Sequence, residues 1–153
     1  MTSRVFDWQT GQAAEVRMRY PHMLPEDVDV WREYLGGEPM DFSSVWYDVH
    51  VGQAMSVPLG SPAYMRRVVE GISRKRIDVV GLVACELRII ELKGHAGMES
   101  IGQVVTYRQL YLEEFETRLP VTCWVICGTA DRDILDLAEK LEVQIIPLHG
   151  VLL

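Results

Sequence analysis

Apolar residues gather in the middle of the chain into two dense runs, IDVVGLV at 77–83 and ELRIIEL at 86–92, with only Ala84 and Cys85 between them. Runs of this length, rich in β-branched residues, predict strands over 75–83 and 86–93 that are buried on both faces and joined by a tight turn. Before them, Val28, Trp31 and Leu35 recur at helical spacing. Pro25 suits the first turn of that helix, Glu26 and Asp27 complement its dipole, and Gly36-Gly37 stops it. SSVWYDVHV at 43–51 predicts the first strand of the sheet, with Val45, Tyr47, Val49 and Val51 on one face and Trp46, Asp48 and His50 on the other. A loop over 53–60 leads to a short helix from Ser61-Pro62 to about Glu70. Farther upstream, Val16, Met18 and Tyr20 alternate as a short strand would.

After the paired runs the period changes from two to 3.6. A turn over 94–97 opens a helix over 98–115, striped by Ile101, Val104, Val105, Tyr111 and Phe115. VTCWVIC at 121–127 reads as a buried strand turned by Gly128. Ile134, Leu135, Leu137, Ala138 and Leu141 then stripe another helix, and VQIIPL closes the sheet. The order predicts an α/β fold, a mixed sheet with an antiparallel meander and a crossover unit. At 153 residues it forms a single domain, with residues 1–42 as an N-terminal extension plus first helix and 43–147 as the core.

Charges inside the apolar runs cost several kcal/mol each unless something compensates them, roughly as for any uncompensated buried ion. With the turn centred between Ala84 and Cys85, facing residues sum to 169, which sets Asp78 opposite Glu91 on one face. Carbon-β atoms of such a pair are about 4.5–5.5 Å apart, and like charges there repel. A cation between them resolves the repulsion. Hard oxygen donors at that separation suit Mg²⁺ or Mn²⁺. Lys93, two residues past Glu91, shares its face.

Asp78, then Glu91-Leu92-Lys93 on the next strand, then Gln103 and Tyr107 on the following helix, resembles the PD-(D/E)xK nuclease superfamily, its RecB-type branch in particular. The resemblance covers roughly residues 43–147. It implies a restriction-endonuclease-like sheet with an αβββαβ core and a further helix and strand, and an enzyme that hydrolyses phosphodiester bonds in DNA. By the same resemblance Asp78, Glu91 and the Leu92 carbonyl hold Mg²⁺ or Mn²⁺, Lys93 stabilises the transition state, and Gln103 and Tyr107 contact the nucleic acid. Ile77 stands where the motif often has proline. The family's first-helix acid has three candidates here, Glu26, Asp27 and Glu33. The alternative is a catalytically idle relative that serves as a DNA-binding or protein-assembly module.

Net charge is −7, against indiscriminate nucleic-acid binding, but five of the 15 basic residues lie between 66 and 76: Arg66, Arg67, Arg74, Lys75 and Arg76. That block abuts Asp78, and Arg74, Lys75 and Arg76 are the expected phosphate contacts. DNA is the expected partner, with a homodimer as the alternative to a monomer. Three cysteines without zinc spacing, Cys123 and Cys127 among them as core thiols, point to a reducing, cytoplasmic setting. No run of 18 apolar residues or signal-peptide pattern predicts membrane insertion or export. No glycine-rich phosphate loop, HExxH or GxSxG occurs. His50 reads as an ordinary strand histidine.

Overall fold

The computed structural model describes residues 3–37 and 42–153. Residues 1–2 and 38–41 of the expected N-terminal extension lie outside the described residues. Helix α1 spans Pro25–Gly36, with proline in its first turn and Glu26 and Asp27 beside its positive end. Strand β2 (Phe42–Val51), helix α2 (Ala63–Ser73), strands β3 (Lys75–Val83) and β4 (Glu86–Ala96) and helix α3 (Met98–Glu114) follow. Strand β6 (Val121–Asp131), helix α4 (Leu135–Lys140), β7 (Val143–Pro147) and β8 (Val151–Leu152) complete the main sheet. Its order is β2-β3-β4-β6-β7, with β8 also on β6. The β2-β3-β4 meander is antiparallel, and β6 joins β4, β7 and β8 in parallel. The fold is the expected mixed α/β sheet.

Helix α1 covers one face with Val28, Val30 and Trp31, packed against Val45, Val79, Ile90, Leu92 and Ile126. Helices α3 and α4 cover the other, where Ile101, Val104, Tyr111, Ile134 and Ala138 meet Ile77, Val80, Ile89, Val125 and the buried thiols Cys123 and Cys127. Burial on both faces is why β6 reads as an unbroken apolar run and β3 and β4 as apolar runs interrupted by few charges.

Several expectations need correction. Residues 16–20 form no strand; Val16 and Met18 are exposed and only Tyr20 is buried. Strand β4 runs through Gly94 to Ala96, and β6 runs through Gly128. These glycines serve close packing: a Cβ on Gly128 would lie 2.6 Å from the Gly94 carbonyl oxygen. The β2 alternation also breaks. Val45 and Tyr47 pack on the α1 side, whereas Val49 and Val51 pack on the α3 side. The inversion falls at Asp48, whose φ of 53° is left-handed and turns the following side chains over.

The chain also adds a second, two-stranded sheet, β1 (Arg4–Val5) paired in parallel with β5 (Phe115–Glu116). Beneath it sits buried Glu114, which accepts from Arg4, from Arg74 Nη2 at 2.5 Å and from the Gly52 N–H at 3.1 Å. This carboxylate at the C-terminal end of α3 runs against the helix dipole, and two arginines compensate it.

Candidate active site

The β3–β4 ladder has the predicted register, from Val83–Glu86 to Val79–Ile90. Its two-residue turn puts Ala84 at φ 52°, the left-handed value a tight hairpin demands. Beyond Val79–Ile90 a side chain takes over from the backbone, and the Leu92 N–H donates to Asp78 Oδ2 at 2.9 Å. Asp78 thus bridges from one strand to the other, next to Glu91. On the other side of β3 the flanking pairs are Tyr47–Val79 and Val49–Ile77, which leaves Asp48 across from Asp78. Three carboxylates, Asp48, Asp78 and Glu91, therefore stand abreast on three adjacent strands.

Burial raises the pKa of Asp78 to about 6; the Leu92 N–H and Lys93 oppose the rise, and Asp27 and Asp48 add to it. Burial, then the charge of Asp78, pushes Glu91 up to about 8, with Lys93 opposing. Lys93 Nζ lies 3.3 Å from Glu91 Oε1, while Glu91 Oε2 is buried without a hydrogen-bond partner among the described residues. Among the described residues the pair is thus under-compensated. Among the described residues no group of three or more His, Cys, Asp and Glu side chains is arranged to hold a metal ion. The donors present are two carboxylates beside the Leu92 peptide. Mg²⁺ accepts such a set, since it keeps several waters and asks for one or two carboxylates.

Helix α3 supplies the wall of the site. Tyr107 is half-buried, and its pKa is pushed up to about 12 by burial and then by Glu91 and Asp78, while Gln103, one turn earlier, opposes the rise. Gln103 Oε1 is buried and unpartnered. Tyr107 therefore lies within reach of the charges of Glu91 and Asp78, with Gln103 one turn before it on the same helix.

Helix α1 supplies a further acid, and the structure separates the three candidates. Asp27 is buried, feels Lys93, and raises the pKa of Asp78. Its own pKa is raised by burial, against the pull of Lys93. Glu26 packs against Gly94, and Glu33 reaches His149 Nε2 at 2.8 Å. Of the three, Asp27 is the one whose charge reaches Asp78 and Glu91. The helical stripe marked this helix as packed on the sheet, but all three acids lay within two turns, so only the packing could separate them.

Asp48 was not among the sequence candidates. It was assigned to the face of Trp46 and His50, because the alternation rule assumes that every residue of a strand is extended. The β2–β3 connection runs through helix α2 and sets no register, so the sequence carries no signal that would have placed Asp48 across from Asp78. Asp48 Oδ2 lies 3.4 Å from His50 Nε2 and 3.5 Å from His22 Nε2, and Oδ1 lies 3.7 Å from Arg76 Nε.

The basic segment divides. Arg74 is directed inward, donating to Gly52 O at 2.9 Å and His50 O at 3.1 Å as well as to Glu114. Arg76 donates to Gly71 O at 2.8 Å and faces Asp48. Lys75 is exposed. Of the three expected phosphate contacts, Lys75 alone is open to solvent without a partner among the described residues.

No protein-family model, curated protein or solved structure matches the chain.

Proposed function

We propose that the chain is a Mg²⁺- or Mn²⁺-dependent nuclease that hydrolyses phosphodiester bonds in DNA. The observation that carries this reading is the pair of half-buried Asp78 and buried Glu91, both pKa values raised, with one Glu91 carboxylate oxygen unpartnered among the described residues and a lysine ammonium 3.3 Å from the other. A folded chain keeps so costly an arrangement where chemistry uses it.

Asp78, Glu91 and the Leu92 carbonyl would hold the cation, which supplies Lewis acidity and a more acidic water. Asp78 is pre-positioned by the Leu92 N–H, so its carboxylate needs no reorganisation. Lys93 places a positive charge beside Glu91, where negative charge builds on the phosphorus oxygens in the transition state. Asp27 and Asp48 add negative potential that favours a divalent over a monovalent ion. Tyr107 and Gln103 form a half-buried wall that orients the substrate strand, and Lys75 meets a flanking phosphate. The same reading sets the chain in a reducing cytoplasm, supported by free thiols at Cys85, Cys123 and Cys127.

The test is incubation with plasmid and with linear DNA in Mg²⁺ or Mn²⁺, against an EDTA control. Cleavage that needs the cation and disappears in Asp78→Ala supports the proposal; none on any DNA overturns it. A second reading, a catalytically idle DNA-binding or assembly module, draws on the two-carboxylate donor set, smaller than a three-side-chain metal cluster. It predicts binding without turnover.

A further inference from the structure

The stretch before α1 carries apolar side chains that the sheet does not take up. Met18 is 80% exposed, Leu24 62% and Val16 53%. Met18, Met23, Pro25 and Val28 line a cavity of about 330 Å³ between that stretch and the helix, a volume within the range of small binding clefts. Its walls are held in place. The Tyr20 hydroxyl donates to the Glu15 carbonyl at 2.7 Å and accepts from the Arg17 N–H at 2.9 Å. The Tyr20 ring lies against Tyr47, with centroids 5.0 Å apart. A cavity formed before its occupant arrives costs little ordering on binding.

The charged residues that line the cavity are Arg19, Arg32 and Asp29. Arg17 nearby is already held, by Glu15 at 3.6 Å and by Gln12 at 2.7 Å. Arg19 and Asp29 are exposed, whereas Arg32 is half-buried and its Nε is buried without a hydrogen-bond partner among the described residues. Arg32 stands one turn after Val28 on α1, so a cation and the apolar floor share one helix face. A buried guanidinium nitrogen without an acceptor is costly, and an acceptor brought into the cavity offsets that cost. His22, in the same stretch, reaches Asp48 Oδ2 at 3.5 Å, so the cavity and the candidate active site share this loop.

We infer that this cavity docks an acidic segment of a partner protein, with an apolar side chain seated on Met18, Met23 and Val28 and a neighbouring carboxylate on Arg19 and Arg32. Asp29 then accepts from a backbone N–H of that segment, a donor that peptide chains carry at nearly every residue. Methionine side chains adapt to apolar groups of varied shape, so the partner is defined by its charge beside an apolar anchor. The interaction stands apart from the nuclease reading. A phosphodiester backbone suits the cavity less, because it has no donor for Asp29, sets its charge against that carboxylate and leaves the apolar floor unfilled. A second copy meeting the cavity across a two-fold axis would bring equal arginine-bearing surfaces together. A copy inserting its acidic stretch, Asp133 to Glu142, would build an open chain instead of a closed dimer.

The experiment pans a displayed library of random peptides on the wild-type chain. Fluorescein-labelled synthetic copies of the recovered sequences are then measured by fluorescence anisotropy in EDTA against wild type, Met18→Ser and Arg19→Glu. The recovered sequences should share an apolar residue beside Asp or Glu. Met18→Ser should bind them about tenfold more weakly and keep its melting temperature, because that side chain is exposed. Arg19→Glu should lose them and instead take the same peptides with lysine in place of the acid, an exchange that a damaged fold does not produce. Panning that recovers nothing, or sequences without acids, or sequences that Met18→Ser binds as wild type does, overturns the inference. Sedimentation that shows self-association abolished by Met18→Ser overturns it too, and assigns the cavity to a second copy. DNA affinity that falls in Arg19→Glu while peptide binding is unchanged overturns it in favour of nucleic acid. Cleavage of DNA by wild type is scored separately and decides the nuclease reading alone.

Discussion

Replacing Glu91 with glutamine keeps the shape of the side chain and removes the charge from the most crowded point of the site. In the metal-free protein burial and Asp78 hold the Glu91 pKa at about 8, against an ordinary 4.5. Below about pH 4.5 the group is neutral in both folded and unfolded chains, so its burial costs little. Above pH 8 it is ionised in both, and the folded state bears the full cost of a buried charge beside another. Stability from this group is therefore present at low pH and lost as pH rises from about 4.5 to 8. At about 1.4 kcal/mol per pK unit the shift corresponds to a ceiling of about 5 kcal/mol. Asp78 and Glu91 release their protons as a pair, so part of that cost is shared. A gain of about 2–4 kcal/mol is expected for Glu91→Gln at pH 8.5, or about 5–15 °C in melting temperature for a chain of this size.

Urea unfolding in EDTA between pH 4 and 9 checks this. The variant should match wild type near pH 4 and diverge steadily above pH 5. Mn²⁺ at 100 times its dissociation constant should restore about 2.7 kcal/mol to wild type and almost none to the variant. A difference between the proteins that stays constant with pH would mean that Glu91 is not held against its charge, and the argument from repulsion would fail.

Arg74→Ala should destabilise the protein by about 1–3 kcal/mol, since it strips one partner from the buried Glu114 carboxylate while Arg4 and the Gly52 N–H remain, and chemical denaturation measures it. Lys75→Ala should leave stability alone and lower the slope of log affinity for DNA against log salt by about one. Ala84→Gly should stabilise by about 1 kcal/mol, because glycine adopts the left-handed φ of that turn without strain; an unchanged or lower denaturation midpoint would contradict it. Asp48→Asn should lower the Asp78 pKa by removing a neighbouring negative charge, visible in the carboxyl carbon shifts of an NMR titration, whereas an unmoved Asp78 would take Asp48 out of the site.

Most of the sheet could be read from the chain because its signals are local. The 77–83 and 86–92 runs are apolar on both faces, and their two-residue connection sets a register that holds as far as Val79–Ile90, next to Asp78 and Glu91. Gln103 and Tyr107 were legible because a helix fixes what lies four residues away. The rest depends on packing between distant segments. Arg74 looks like its neighbours Lys75 and Arg76, and only the buried Glu114 forty residues later turns it inward. Asp48 departs from the strand period through one left-handed residue, a conformation that pattern reading does not anticipate for an aspartate inside a strand. Strands β1 and β5 are two residues each, too short for any period to show.

The central claim is that Asp78 and Glu91 hold a catalytic cation and that Lys93 acts on the transition state. It is tested most directly by Mn²⁺ calorimetry alongside DNA cleavage on wild type, Asp78→Ala, Glu91→Ala and Lys93→Ala. All three variants should lose cleavage, and for Lys93→Ala the loss should be about 10²–10³-fold, the usual cost of one preorganised electrostatic group. Only Asp78→Ala and Glu91→Ala should also lose the heat of Mn²⁺ binding, while Lys93→Ala keeps it, because that side chain stabilises the transition state and not the bound ion. Mn²⁺ heat that persists in Asp78→Ala and Glu91→Ala, or cleavage undiminished in all three, would contradict the account.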